Sequence, residues 1–296
     1  MSKTIAVAVI GGSGLVGSTL VERWARRAEV LAPSHAELDV LDPRALVAFL
    51  ETTYCDTVVN LAAWANVDGA EAEKDDTSGT VYRLNVAFPG LLAETCHRLG
   101  KYLIHVSTDY VFDGTSAHAP YREDDATRAL CWYAETKLRG EHAVLQAADT
   151  ACVARIEMPF TGRDAPKRDL ARTIVARLQQ GQTIQGVTDQ RITPVFLDDA
   201  ADGLWQLSVA RYAGLMHVAA SDWTTPYEFA LGLARRLELP MELVARETFE
   251  RFSASRPALR PQHSWLDVTR FTELFGPGIL RPVDEELDAW MTQWHK

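Results

Sequence analysis

Apolar residues in the first half of the chain come in short unbroken runs rather than in alternation with polar ones. They fall at residues 4–10, 57–63, 102–107 and 151–156, with a shorter run at 29–32. A strand wet on one face alternates; continuous runs of this length mark parallel strands covered on both faces. Between them lie stretches with helical spacing, at 15–27, 43–53, 80–99 and 131–148. This alternation predicts an α/β fold, a Rossmann-type doubly wound parallel sheet.

Beyond residue 157 the pattern loosens. Residues 158–168 are polar and turn-like, 182–193 read as irregular or strand, and 214–219 is a further apolar run. Helices are predicted at 169–180, 198–210, 226–237 and 283–294. Prolines and arginines crowd 255–264, which suits a smaller, loop-rich lobe. We therefore expect a nucleotide-binding Rossmann core over 1–156, completed by segments near 183–218 and 264–296, with a substrate-binding lobe from 157–182 and 219–263.

Composition narrows the function. An apolar share of 47% and a charged share of 24% are those of an ordinary globular protein. The net charge of −10 disfavours nucleic acid or an anionic membrane as partner, since both demand a basic face. It leaves room for an anionic small molecule gripped by a few local arginines. No run approaches the ~20 apolar residues of a membrane span, and the N-terminus reads as a strand rather than a signal peptide. Cys55, Cys96, Cys131 and Cys152 are far apart and form no CxxC pair. A cytoplasmic location is the expectation, and no His/Cys spacing suggests a metal site.

GGSGLVG, residues 11–17, follows the first predicted strand and opens the first predicted helix. Glycines at Gly11, Gly14 and Gly17 permit a tight turn there and bring helix-end N–H groups to a pyrophosphate. Ser13, Leu15 and Val16 complete that cofactor turn. The end of the second strand, Ala32, Pro33, Ser34 and His35, carries no carboxylate to repel a 2′-phosphate, so NADPH is tolerated beside NADH. Asp39, followed by Val40, either faces the adenine or starts a turn, with Asp42 as the cap of the next helix. Leu61, Ala62 and Ala63 end a strand at the carboxyl edge of the sheet, where small side chains leave room for a cofactor or permit close packing.

Tyr133 and Lys137 are four apart on a predicted helix and so share a face. Alone, such a pair is most simply a solvated surface. Beside an ammonium, however, a tyrosine pKa falls from its usual ~10, letting the phenol give a proton to a carbonyl and recover it. Lys137 could also hold the nicotinamide ribose hydroxyls, which puts Tyr133 and Lys137 at the cofactor as well. Ser107, Thr108 and Asp109 end the strand at 102–107; a hydroxyl there can orient the reacting oxygen, although capping is the plainer role for such residues. Arg191, Arg256 and Arg260 lie in the irregular lobe and could grip a diphosphate.

At these residues the chain resembles the dTDP-4-dehydrorhamnose reductase family of the extended short-chain dehydrogenase/reductases. The resemblance is carried by GGSGLVG, ELDV (37–40), VVNLAAWANVDGAE (58–71), STDYVFDG (107–114), YAETKLRGE (133–141), DQRITPVFLDDAADGL (189–204) and RPQHSWLD (260–267). It implies NADPH- or NADH-dependent reduction of the C4 ketone of a nucleotide-diphospho-4-keto-6-deoxy sugar. It implies Thr108, Tyr133 and Lys137 as the catalytic set, with Asp39, Val40, Leu61, Ala62 and Ala63 at the cofactor, and, by analogy, a homodimer. Thr108, Asp109, Arg191 and Arg260 are the expected substrate contacts. The chain departs from the family's Arg-Thr-Ser-Trp-like run, reading Arg155-Ile156-Glu157-Met158-Pro159 instead, and its approach to Tyr133, Ala129 to Trp132, lacks the usual proline. Two other functions stay open: a nucleotide-sugar epimerase or dehydratase, and a non-catalytic cofactor-binding subunit like the β subunit of methionine adenosyltransferase.

Overall fold

The computed structural model describes residues 5–165 and 167–294; expectations that fall on residues 1–4, Pro166, His295 and Lys296 lie outside the described residues. The strands are β1 (Ala6–Ile10), β2 (Glu29–Leu31), β3 (Thr57–Asn60), β4 (Tyr102–Thr108), β5 (Cys152–Ile156), β6 (Ile184–Val187), β7 (Gly214–His217) and β8 (Val244–Glu247). The helices of the first half are α1 (Leu15–Trp24), α2 (Pro43–Thr52), α3 (Val67–Ala70), α4 (Thr80–Tyr82), α5 (Phe88–Arg98) and α6 (Trp132–Ala147). Those of the second are α7 (Leu170–Gln179), α8 (Leu197–Ala210), α9 (Pro226–Arg236), α10 (Phe249–Ala254), α11 (Thr269–Phe275) and α12 (Val283–Trp294).

One sheet, parallel throughout, runs in the order β2-β1-β3-β4-β5-β7. Its strands have no polar face because both faces are roofed. Val7 and Val9 of β1 enter one core with Leu20 and Trp24 of α1 and Leu204 of α8. Ala6, Ala8 and Ile10 enter the other with Leu46 and Leu50 of α2 and Leu92 of α5. This two-sided burial is the physical reason the runs are continuous.

β6 and β8 pair with each other, away from the large sheet. The segment expected to complete the core near 183–218 therefore divides: β6 goes to the lobe, α8 and β7 to the core. The segment 264–296 divides as well. Leu266, Phe271 and Leu280 join the first core, but Val283, Leu287 and Trp290 of α12 pack with Ile174, Phe229 and Leu233 in the lobe. The strand β8 and the helices α10 and α11 had no predicted counterpart, being four to seven residues long, too short to show a period.

The predicted helix over 80–99 holds a kink. A π-helical stretch, Arg83–Ala87, joins α4 to α5, and Pro89 follows in the first turn of α5. Proline has no N–H to give the carbonyl four residues back, which leaves the Asn85 carbonyl free of its helical partner. Gly140 of α6 lies against that oxygen, where an added Cβ would stand 2.0 Å away. The Asn85 side chain accepts from the Trp64 N–H at 2.9 Å and donates to the Thr136 hydroxyl at 3.1 Å. The kink thus binds α6 to the loop after β3.

Candidate active site

β1 has β2 on one side and β3 on the other, and crevices at the carboxyl ends of strands where the winding reverses are where α/β sheets take ligands. A cleft of 450 Å³ opens there, lined by Gly11, Ser13, Gly14, Asp39, Val40, Leu61, Ala62 and Ala63. Gly11 has φ of +88°, and a Cβ on it would meet the Ala62 nitrogen at 2.7 Å; only glycine turns the chain so close to the loop after β3. α1 begins at Gly14 with no side-chain cap and no acid in its first turn. Its leading N–H groups are free for an anionic ligand, and the positive helix end favours one. These features fit a dinucleotide pyrophosphate.

Leu15, Val16 and Gly17 form the first turn of α1 behind Gly14, with Gly17 buried, and bring backbone N–H groups rather than side chains toward the cleft. Asp39 lines the cleft, and its carboxylate accepts from the Leu41 N–H at 2.9 Å, as a turn-starting residue does. Asp42 caps α2 through the Arg44 N–H. Lys167, which the sequence reading missed, enters the cleft beside Pro33 and His35. Nothing local could have marked it, because it arrives from the far side of β5.

Thr108 ends β4, and Tyr133 and Lys137 project from α6. The Cys131 side chain does not cap this helix; instead the Glu71 carboxylate accepts from the Trp132 N–H at 2.6 Å. Lys137 is buried and donates to the Val106 carbonyl at 2.8 Å. Burial pulls its pKa down to about 8, against the pull of Glu141. Tyr133 is half-buried, and burial pushes its phenol above the ordinary value. The Thr108 hydroxyl opposes that rise and the charge of Asp109 adds to it. The expected lowering by Lys137 is corrected here: in the free protein desolvation dominates at Tyr133, and the Lys137 ammonium donates its hydrogen bond to the Val106 carbonyl.

A second cleft, of 380 Å³, starts at Asp109 and Tyr110 and runs into the lobe past Met158, Arg256, Arg260 and Ser264. The Tyr110 ring stands edge-on to Tyr133, with centroids 5.7 Å apart, so this cleft reaches α6. Arg260 is held by a two-pronged contact with Asp68, at 2.9 and 2.8 Å. Met158 has φ of +39°, a rare conformation for its type that clusters at functional sites. Arg191 is elsewhere. Its guanidinium stacks 4.6 Å from Trp223 and 4.9 Å from Trp265 and donates to the Ala117 carbonyl, outside the cleft. Among the described residues, no cluster of His, Cys, Asp or Glu could hold a metal ion.

The parallel sheet, its glycine turn and the Tyr–Lys helix define a dinucleotide-dependent protein of the extended short-chain dehydrogenase/reductase class. The family model described as the RmlD substrate binding domain matches residues 5–294, and the chain belongs to that family. It is 37% identical to a probable dTDP-4,6-dihydroxy-2-methyloxan-3-one 4-ketoreductase of Streptomyces antibioticus, over 89% of this chain and 87% of the relative. It is 34% identical to a dTDP-4-dehydrorhamnose reductase of Mycobacterium tuberculosis, over 86% and 78% of the two chains. In fold it matches the Bacillus anthracis dTDP-4-dehydrorhamnose reductase, solved in complex with NADP, with a TM-score of 0.89 over 98% of this chain and all of that one, at 21% identity.

Proposed function

We propose that this protein reduces the C4 ketone of a nucleotide-diphospho-4-keto-6-deoxy sugar with NADPH or NADH, Tyr133 giving the proton. The observation that carries the reading is the Tyr110 ring, which lines the arginine-walled second cleft and stands edge-on to Tyr133. When bound, the nicotinamide supplies the hydride. The first turn of α1 holds the pyrophosphate, and Ala62 and Ala63, in the loop after β3, offer little bulk to obstruct the rings. Thr108 orients the carbonyl oxygen, Tyr133 protonates it, and Lys137 braces the site from beneath. Arg260, preset by Asp68, takes the substrate diphosphate; the relatives named for dTDP sugars favour thymidine as its nucleoside. Free, buried cysteines at all four positions support a reducing compartment such as the cytoplasm.

The test is consumption of NADPH and of NADH with freshly made dTDP-4-keto-6-deoxy sugars, including dTDP-4-dehydrorhamnose and the substrate for which the Streptomyces relative is named. Turnover with one of them is the expected result. Tight cofactor binding with no consumption across the set would transfer the reading to the non-catalytic subunit. Retention of bound NAD, with interconversion of sugars and no net consumption, would transfer it to an epimerase.

A further inference from the structure

Glu157 stands where the family run has a serine, and its hydrogen bonds give it a task. It follows β5 and is completely buried. Its Oε2 accepts from the Thr193 N–H at 2.7 Å and from the Thr193 hydroxyl. Its Oε1 accepts from the Ser264 hydroxyl at 2.7 Å. Thr108 and Ile156 are the last paired residues of β4 and β5, so the parallel register sets the next two, Asp109 and Glu157, side by side. Ser264 therefore faces two carboxyl groups, Glu157 and Asp109.

A serine hydroxyl has one proton to give, and geometry decides between the two acids. The bond to Glu157 is the one that forms. Asp109 is left with the Thr108 hydroxyl, which donates to one of its oxygens at 3.0 Å. Its other oxygen is buried and has no partner among the described residues. Both Asp109 and Ser264 line the second cleft, at the end where Tyr110 stands against Tyr133. An unpaired, buried carboxylate oxygen is unfavourable, and a ligand that brings an O–H to it removes the penalty.

We propose that Glu157 sets what this end of the cleft recognises: by holding the Ser264 proton it keeps Asp109 open to the sugar hydroxyl beside the ketone. The inference rests on the reductase reading above. Asp109 follows Thr108 directly, so a carbonyl held by Thr108 brings its neighbouring carbons to Asp109. In a 4-keto-6-deoxy hexose one of the two carbons flanking the ketone, C3, bears a hydroxyl; the other, C5, has none. An acceptor placed for that O–H discriminates against a sugar that lacks it. Glu157 is a positioning residue, since it acts through Ser264. The family's serine at this position has a single oxygen, where Glu157 uses one for Thr193 and the other for Ser264.

The experiment compares kcat/KM for dTDP-4-dehydrorhamnose and for its 3-deoxy analogue in the wild type, E157Q, S264A and the double variant. In E157Q the Thr193 N–H keeps the amide oxygen on its own side, so the amide nitrogen donates to Ser264. The serine proton then turns to Asp109 and closes it. The preference for the 3-hydroxyl sugar should fall about tenfold, the loss of one hydrogen bond to a charged group. In S264A no serine proton competes for Asp109, and the preference should match the wild type. The double variant should regain the wild-type preference, which a merely structural loss at Glu157 would not allow. NADPH affinity should be the same in all four proteins. A wild-type preference in E157Q, or no recovery in the double variant, would overturn the proposal. If the wild type consumes no NADPH with either sugar, the reductase reading fails on its own, and Kd values for the two sugars by calorimetry decide the inference by the same comparison.

Discussion

Tyr133 lies under opposing influences: burial and the Asp109 charge raise its pKa, and the Thr108 hydroxyl lowers it. The balance keeps the phenol protonated at neutral pH, which is the form a reductase needs at the start of each cycle. Tyr133→Phe removes that proton without touching the cofactor cleft. Turnover should fall by about 10²–10⁴, while NADPH affinity by fluorescence titration stays that of the wild type; near-normal turnover would remove Tyr133 from the role. Lys137 makes a different prediction, about stability. Its folded pKa, about 8, lies below the ordinary 10.5, so between those values the unfolded chain binds a proton that the folded one does not. Stability contributed at this site therefore rises with pH across that window, and the burial penalty is complete below it. Against Lys137→Met, which has no such titration, the wild type should gain on the order of 3 kcal/mol between pH 8 and 10.5. Parallel urea-unfolding curves at the two pH values would refute the assignment.

At the scale of elements, the seat of α6 decides whether Tyr133 and Lys137 point correctly. Three contacts fix it: the Glu71 cap on Trp132, the Asn85 bond to Thr136, and the contact of Gly140 with the carbonyl that Pro89 leaves free. Gly140→Ala puts a methyl group into backbone, which cannot retreat as a flexible side chain would. We expect a loss of about 1–3 kcal/mol in urea unfolding and a lower kcat, with helix content by circular dichroism unchanged. A variant as stable as the wild type would mean that the kink does not seat the helix. Much of this level was legible in sequence. The strand runs and the helices over 15–27, 43–53 and 131–148 needed only hydrophobic period and capping residues, and α12 matches its predicted bounds. The π turn was not legible, because its cause is Pro89 acting together with a glycine on another helix. The adjacency of Asp109 and Glu157 was hidden for a similar reason: each follows a strand end, but which strands pair and in what register is set by the fold.

At the scale of the whole molecule, the core and lobe are wound through each other, and this limited what spacing could reveal. β6 and α12 belong to the lobe although their neighbours in sequence belong to the core, since an apolar stripe shows that a face is buried but not against what. Arg191 illustrates the same limit at a side chain: an arginine in an irregular segment suits an anion equally well on paper, and only the fold brought Trp223 and Trp265 to stack on it. Lys167 is the converse case, a residue from the connection between β5 and α7 that closes the cofactor cleft of the opposite half. It lies with Pro33 and His35 beyond the end of β2, the place where folds of this kind read the adenine ribose. Among the described residues, Asp39 is the one carboxylate lining that part of the cleft, and it accepts from the Leu41 N–H. A cation there favours a 2′-phosphate and does nothing for the ribose hydroxyls of NADH. Lys167→Glu should therefore raise KM for NADPH about tenfold, the equivalent of 1.4 kcal/mol of lost contact, and leave KM for NADH near its wild-type value. Equal rises for both cofactors would place Lys167 at the shared pyrophosphate instead, and the absence of any change would show that the lobe contributes nothing to the choice between them.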